Sequence, residues 1–234
     1  MELGGGDAFI VVDDADLDKT IPYAVWGRMY NAGLACCAAR RFIVLDAVAD
    51  QSVVKFRAAL EPLKPGDPMD ERTTQGLLST EAALVQLLGQ VDAAVKGGAT
   101  LLMGGKRIDR PDWFMETTIL TDITPENPAF RDELFGPVVS YFRVKDEAAA
   151  IALANDSDFG LAGSVWTEDE ARGKRVASQV DTGMKFVNNI HWSDAELPFG
   201  GIRNSGYRRE LGHTGIQEFV DKKLIRTGHF AAPI

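Results

Sequence analysis

Short apolar runs alternate with longer helix-patterned segments along most of this chain, and that alternation constrains the fold more than any other feature. Phe9–Val12, Phe42–Leu45, Ala99–Met103, Val138–Val144, Ser164–Thr167 and Met184–Asn188 read as strands. They are short and rich in β-branched or aromatic residues. Between them, Asp16–Tyr30, Val48–Leu60, Thr80–Lys96, Lys145–Asn155 and Glu168–Val180 carry helical patterns, several opened by Asp or Thr and closed near Gly or Asn, as capping favours. Strands joined through helices run parallel, so the pattern predicts an α/β domain with a largely parallel sheet flanked by helices. Leu63–Ser79, with its prolines and glycines, reads as a loop inside one domain, because apolar periodicity resumes on both sides.

With 234 residues, 45% of them hydrophobic, the chain can close one substantial core. The net charge of -9 argues against a basic surface for nucleic acid or anionic lipid. No apolar run is long enough to span a bilayer and the first residues lack a secretion signal, which makes the cytoplasm the expected compartment and a membrane partner unexpected. The only cysteines are adjacent, Cys36 and Cys37, and a disulfide between neighbours would close a strained ring that constrains almost no chain. His191, His213 and His229 are scattered without ligand spacing, so no metal site is expected. P-loop and GxGxxG motifs are likewise missing.

Asn31-Ala32-Gly33-Leu34-Ala35-Cys36-Cys37-Ala38-Ala39-Arg40-Arg41 is the stretch with chemical content: a small-residue turn between a helix and a strand. Small residues leave room around a thiol, and backbone N–H groups of such a turn can stabilise an oxyanion formed when sulfur attacks a carbonyl. By residue type alone, free cysteine is among the most buried residues, so a packing role competes with a chemical one.

This stretch resembles the catalytic-cysteine motif of the aldehyde dehydrogenase superfamily, with Asn31 and Gly33 at the family spacings before Cys36. Three more blocks agree in order. Met1-Glu2-Leu3-Gly4-Gly5 resembles the general-base motif, Glu133-Leu134-Phe135-Gly136-Pro137 the cofactor-contacting motif, and Pro198-Phe199-Gly200-Gly201-Ile202-Arg203-Asn204-Ser205-Gly206 the late glycine-rich signature. Asn155-Asp156 and Phe159-Gly160-Leu161 also match the family. Family members carry a nucleotide-binding domain before the glutamate, so the resemblance implies that residues 1–234 are one catalytic domain, the C-terminal portion of a longer enzyme.

The resemblance implies NAD- or NADP-dependent oxidation of an aldehyde to a carboxylic acid, with Cys36 as nucleophile and Glu2 as the base that activates water against the resulting thioester. It further implies that Glu133 accepts hydrogen bonds from ribose hydroxyls and that Phe135 packs near the nicotinamide. The opening through Asp18 looks most like bacterial succinate-semialdehyde dehydrogenases, which makes succinate semialdehyde the first substrate to consider and another small or aromatic aldehyde the second. Trp192 and Ser193 are candidate substrate contacts by matching position, with packing the competing role for the Trp. Tyr30 stands where some members of that group carry a carboxylate-binding Arg, Leu34 where Gln is common, and Gly6 where Lys or Ser is frequent. Arg208 replaces a usual Gly; a positive φ there would cost about 1 kcal/mol.

By the same resemblance a homodimer or homotetramer is expected, with residues 222–234 either an arm added to another subunit's sheet or a frayed end. The chain alone is expected to bind cofactor weakly and turn over little; the alternative outside enzyme chemistry is a non-catalytic, self-associating truncated module. Nothing in this chain is expected to fix the direction of Glu2 toward Cys36.

Overall fold

A computed structural model describes residues 1–190 and 193–228. Its centre is a seven-stranded sheet in the order β3-β4-β5-β2-β1-β7-β8. These strands are β1 (Ala8–Val11), β2 (Arg41–Leu45), β3 (Thr100–Met103), β4 (Thr118–Thr121), β5 (Val138–Val144), β7 (Gly163–Trp166) and β8 (Phe186–Val187). A two-stranded antiparallel piece pairs β6 (Phe159–Gly160) with β9 (Ile202–Arg203). Every pairing in the large sheet is parallel except β3 with β4 at the edge. The α/β fold expected from the alternation is therefore the observed one.

Both faces of the sheet are covered, which explains why its central strands are apolar throughout rather than alternating with polar residues. Phe9, Val11, Phe42 and Val44 share one cluster with Leu17, Ile21 and Ala24 of α1 (Leu17–Met29) and Ala49, Phe56 and Leu60 of α2 (Asp46–Leu60). Ala8, Ile10, Ile43 and Leu45 point the other way. They join Leu84, Leu87 and Val91 of α3 (Glu81–Lys96), Ala150 and Ala154 of α4 (Glu147–Asn155), and Val176 of α5 (Glu170–Ala177). Caps set the helix starts: Asp16, Thr80, Asp146 and Asp169 each accept hydrogen bonds from first-turn N–H groups with their side chains.

Differences from the sequence reading have local causes. The segment 168–180 starts two residues later because Asp169 is the cap. The run Met184–Asn188 keeps only Phe186–Val187 as strand, since Asn188 turns with φ 51° and uses its side chain on Thr167. β4 carries almost no period to read, being four residues with a threonine at each end. Leu224-Ile225 carries no strand, and the short helix α6 (Gly212–Ile216) precedes that tail. Among the described residues no helix is long and apolar enough to cross a membrane.

Candidate active site

Cys36 sits on the link between α1 and β2, where three successive residues turn left-handed: Asn31 at φ 49°, Ala32 at φ 54° and Gly33 at φ 75°. Ala32 accepts strain of about 1–2 kcal/mol there, the kind of cost that persists where surrounding contacts over-determine the backbone. Gly33 has no alternative. A Cβ would stand 2.2 Å from Arg28 Nη2 and 2.3 Å from the Gly136 carbonyl oxygen. Arg28, wholly buried, donates to the carbonyls of Gly33 at 2.8 Å, Gly136 at 2.6 Å and Ala39 at 3.1 Å, tying the turn before Cys36 to the loop that follows Glu133.

The two thiols differ sharply in setting. Cys36 is half-buried, whereas Cys37 is only 6% exposed and packs with Leu161, Ala162 and Phe199. Their sulfurs are 3.7 Å apart. A hydrogen bond from Cys37 lowers the Cys36 pKa, against burial and the nearby Glu2 carboxylate, which raise it. Cys37 is raised, first by that same hydrogen bond and then by burial. Of the two thiols, the shifts favour the thiolate at Cys36.

Glu2 is held more firmly than the sequence suggested. Residue 2 forms an antiparallel bridge with Gly206, the Leu3 N–H donates to Ser205 O at 3.0 Å, and the Met1 ammonium donates to Tyr207 O at 3.2 Å. The Gly4 N–H donates to Glu2 Oε1 at 2.7 Å, fixing the carboxylate itself. The expectation that nothing directs Glu2 is therefore corrected, because the late glycine-rich signature supplies the docking strand. That signature is braced in turn by fully buried Ser205, whose hydroxyl accepts from the Gly160 N–H at 3.0 Å.

Glu133 and Phe135 reach the same place through Arg40. Only 3% exposed, Arg40 donates to the carbonyls of Gly5 at 2.9 Å, Cys36 at 2.7 Å and Ala35 at 2.9 Å, and pairs with Glu133 Oε1 at 2.9 Å. The Phe135 ring lies over its guanidinium, 5.1 Å from ring centroid to Cζ, and is itself 41% exposed. Glu133 Oε1 also accepts from the Gly5 N–H at 3.2 Å. Gly4 makes room for the carboxylate, since a Cβ at its φ of 95° would stand 2.7 Å from Glu133 Oε2. The motifs give Arg28 and Arg40 no role, because their partners are mostly backbone carbonyls, several of them far along the chain.

Cys36, Glu2, Glu133 and Phe135 are thus assembled from three distant blocks. Ser193 is exposed, and Trp192 lies outside the described residues. An open groove of about 610 Å³ runs between α1 and the segment before the glycine-rich signature, lined by Tyr23, Trp26, Phe186, Ile190, Asp194 and Leu197. Neither Cys36 nor Ser193 is part of its lining. Beneath Cys37 lies a second set of charged groups that the sequence did not reveal. Burial pushes Asp7 up to about 6 and Lys185 down to about 7. Among the described residues, Asp7 Oδ2 and Lys185 Nζ have no hydrogen-bond partner. No group of three or more His, Cys, Asp or Glu that could hold a metal occurs among the described residues.

The model of the aldehyde dehydrogenase family matches residues 1–225. The chain belongs to the aldehyde dehydrogenase family. Among its curated relatives, the NADP(+) succinate-semialdehyde dehydrogenase of Deinococcus radiodurans is 46% identical over 226 residues, which is 97% of this chain and 47% of that protein. The enzyme of the same name from Mycobacterium leprae is 45% identical over 96% of this chain and 49% of its own length. The chain spans about half the length of these relatives. Among solved structures, one of Gox0499, described in terms of cofactor and substrate selection, superimposes with a TM-score of 0.95 at 52% identity over 97% of this chain and 50% of its own. Succinic semialdehyde dehydrogenase from Streptococcus pyogenes in complex with NADP+ gives a TM-score of 0.95 at 42% identity, with the same coverage.

Proposed function

We propose that this chain is the catalytic part of an NADP- or NAD-dependent dehydrogenase that oxidises an aldehyde, with succinate semialdehyde as first substrate. The observation that carries the reading is that buried Arg40 holds the Cys36 carbonyl, the Glu133 carboxylate and the Phe135 ring together, with Glu2 fixed on the late glycine-rich signature. The relatives named for succinate semialdehyde and NADP(+) support the finer choice.

The residues present fit a dinucleotide. Glu133 has one oxygen, Oε1, committed to Arg40 and Gly5, leaving Oε2 facing the space beside Gly4 as an acceptor for ribose hydroxyls. Phe135 exposes part of its ring for packing against the nicotinamide. When bound, the dinucleotide supplies the hydride acceptor that oxidation of an aldehyde requires.

The chain's own residues do the rest. Cys36 Sγ adds to the carbonyl carbon, and its electron pair forms the C–S bond while the carbonyl π pair moves to oxygen. Backbone N–H groups of the strained turn are the available donors to that oxygen. Once the acyl group is on Cys36, Glu2 takes a proton from water, the water oxygen attacks the thioester carbon, and the thiolate leaves, giving the free carboxylic acid. This water-activating carboxylate favours hydrolysis over transfer to coenzyme A. We also propose a homodimeric or homotetrameric assembly, supported by the exposed apolar tail residues Phe219 (86%) and Leu224 (89%).

The test is reduced-cofactor formation from succinate semialdehyde, propanal and benzaldehyde, by this chain alone and joined to a dinucleotide-binding half. The joined protein should prefer succinate semialdehyde, release free acid and lose activity in Cys36→Ser. The chain alone should bind NADP no tighter than about millimolar in calorimetry, worth about 4 kcal/mol or less. Thioester product, or turnover that survives Cys36→Ser, would overturn the reading.

A further inference from the structure

Arg40 stands between the nucleophile turn and the Glu133 carboxylate and touches both. On one side its guanidinium holds the Cys36 and Ala35 carbonyls at 2.7 and 2.9 Å; on the other, its Nη2 meets Glu133 Oε1 at 2.9 Å. Burial leaves little water to screen either interaction, and an ion pair in such a setting is felt by its neighbours far more than one at the surface. The charges of Glu133, Asp7, Cys36 and Cys37 all act on Arg40, and the pull between Arg40 and a Cys36 thiolate works in both directions, behind the Cys37 hydrogen bond, burial and Glu2 in size.

We propose that Arg40 is a positioning residue that links the Glu133 carboxylate to the nucleophile, so that a ligand drawing on Glu133 from the cofactor side frees Arg40's charge to act on Cys36. Resting on the dehydrogenase reading above, this gives the site a way to hold the thiol quieter until the cofactor side is filled.

Three features support the link. Glu133 Oε1 is the shared atom, held by both Arg40 and the Gly5 N–H, and so sits at a defined distance from the turn. Phe135 lies against the guanidinium, 5.1 Å from ring centroid to Cζ, so the ring proposed to pack near the nicotinamide touches Arg40 directly. Arg40 Nε has no hydrogen-bond partner among the described residues, so the whole hold on the side chain passes through its two terminal nitrogens, which are also the ones that bind Glu133 and the turn.

Groups facing Cys36 from elsewhere bear on the readout. Glu2 and Cys37 act on it directly, and Asp7 acts on both Arg40 and Cys37. All three are therefore left intact. The experiment is the rate of iodoacetamide alkylation at Cys36, located by mass spectrometry and followed from pH 5 to 9. It is run on the 234-residue chain and on its Arg40→Lys and Arg40→Met variants, each with and without Glu133→Gln. Glu133→Gln removes the charge that offsets Arg40, so it should speed alkylation at neutral pH by about threefold or more and move the profile to lower pH. With Arg40→Met the effect of Glu133→Gln should vanish. With Arg40→Lys, which keeps the charge but cannot span both partners, it should fall to less than half, and this variant decides the matter if the Met protein does not fold. The same Glu133→Gln response in all three backgrounds, or no response with Arg40 present, overturns the proposal. The readout needs no turnover. Failure of the dehydrogenase reading would instead appear as absent aldehyde oxidation with the alkylation linkage intact.

Discussion

Gly206 faces Glu2 across an antiparallel bridge so close that a Cβ on Gly206 would stand 2.1 Å from the Met1 carbonyl oxygen. The glycine at the end of the late signature is therefore what lets the segment bearing Glu2 dock. At a φ of 123° it is also in a conformation that side chains rarely adopt. Gly206→Ala should push the Met1–Leu3 segment off its support. Because Glu2 raises the Cys36 pKa, withdrawing it should lower that pKa and quicken alkylation of Cys36 near neutral pH by a few-fold. Glu2→Gln should act in the same direction. An unchanged alkylation profile in both variants would show that the carboxylate does not bear on the thiol.

Limited alkylation of the unmodified chain should label Cys36 before Cys37, by both exposure and charge. Cys37 contributes through its hydrogen bond, so Cys37→Ala should raise the Cys36 pKa and slow its alkylation below that pH. Cys37→Ser, which keeps a donor, should fall between the two. Peptide mapping after substoichiometric iodoacetamide decides the order, and preferential labelling of Cys37 would reverse the assignment.

Lys185 gives the fold a distinctive pH dependence. Its folded pKa of about 7 lies below the ordinary 10.5, so the folded state binds fewer protons than the unfolded chain between those values. Stability then rises with pH across that window and is lost as pH falls toward 7. Asp7, raised to about 6, works lower down, where stability falls as pH rises from about 4 to 6. Lys185→Met should remove the upper slope. Relative to this variant, the unmodified chain should gain on the order of 2 kcal/mol or more between pH 7 and 10 in urea titrations. Parallel pH curves for the two proteins would mean that the amine is hydrated or paired.

How much of this was legible beforehand depended on whether a feature is local. The strands around Ile10 and Ile43 and the helix caps at Asp16 and Thr80 were readable because period and capping act within a few residues. Cys36, Glu2, Glu133 and Phe135 were found through short motifs whose spacing along the chain is fixed. Arg40 and Arg28 carry no such mark, since their meaning lies in contacts with Glu133 and Gly136, about a hundred positions away, and Lys185 carries none because its meaning lies in its burial near Asp7. No pattern in the sequence marks an arginine whose partners are mostly backbone carbonyls. The docking of Glu2 on Gly206 was hidden for the same reason, although both motifs had been recognised separately.

Arg208 was expected to be strained if its position used a positive φ, and its φ is 68°. Three effects act when it is replaced. Glycine relieves a left-handed backbone by about 1 kcal/mol or somewhat more. It also loosens the unfolded chain, which takes back about 0.4–1 kcal/mol. Either glycine or alanine loses the exposed pair with Glu218, which at such a surface is worth between zero and about 1 kcal/mol. The absolute change for Arg208→Gly is thus close to neutral and says little. Alanine removes the pair while keeping the strain, so the comparison of the two variants cancels the pair and leaves the backbone. That difference is the left-handed strain less the entropy glycine adds to the unfolded chain, so Arg208→Gly should be more stable than Arg208→Ala by about 0.5 kcal/mol in chemical denaturation, with equal denaturant slopes. Alanine equal to or better than glycine would mean that the segment relaxes out of the left-handed region once the arginine is gone.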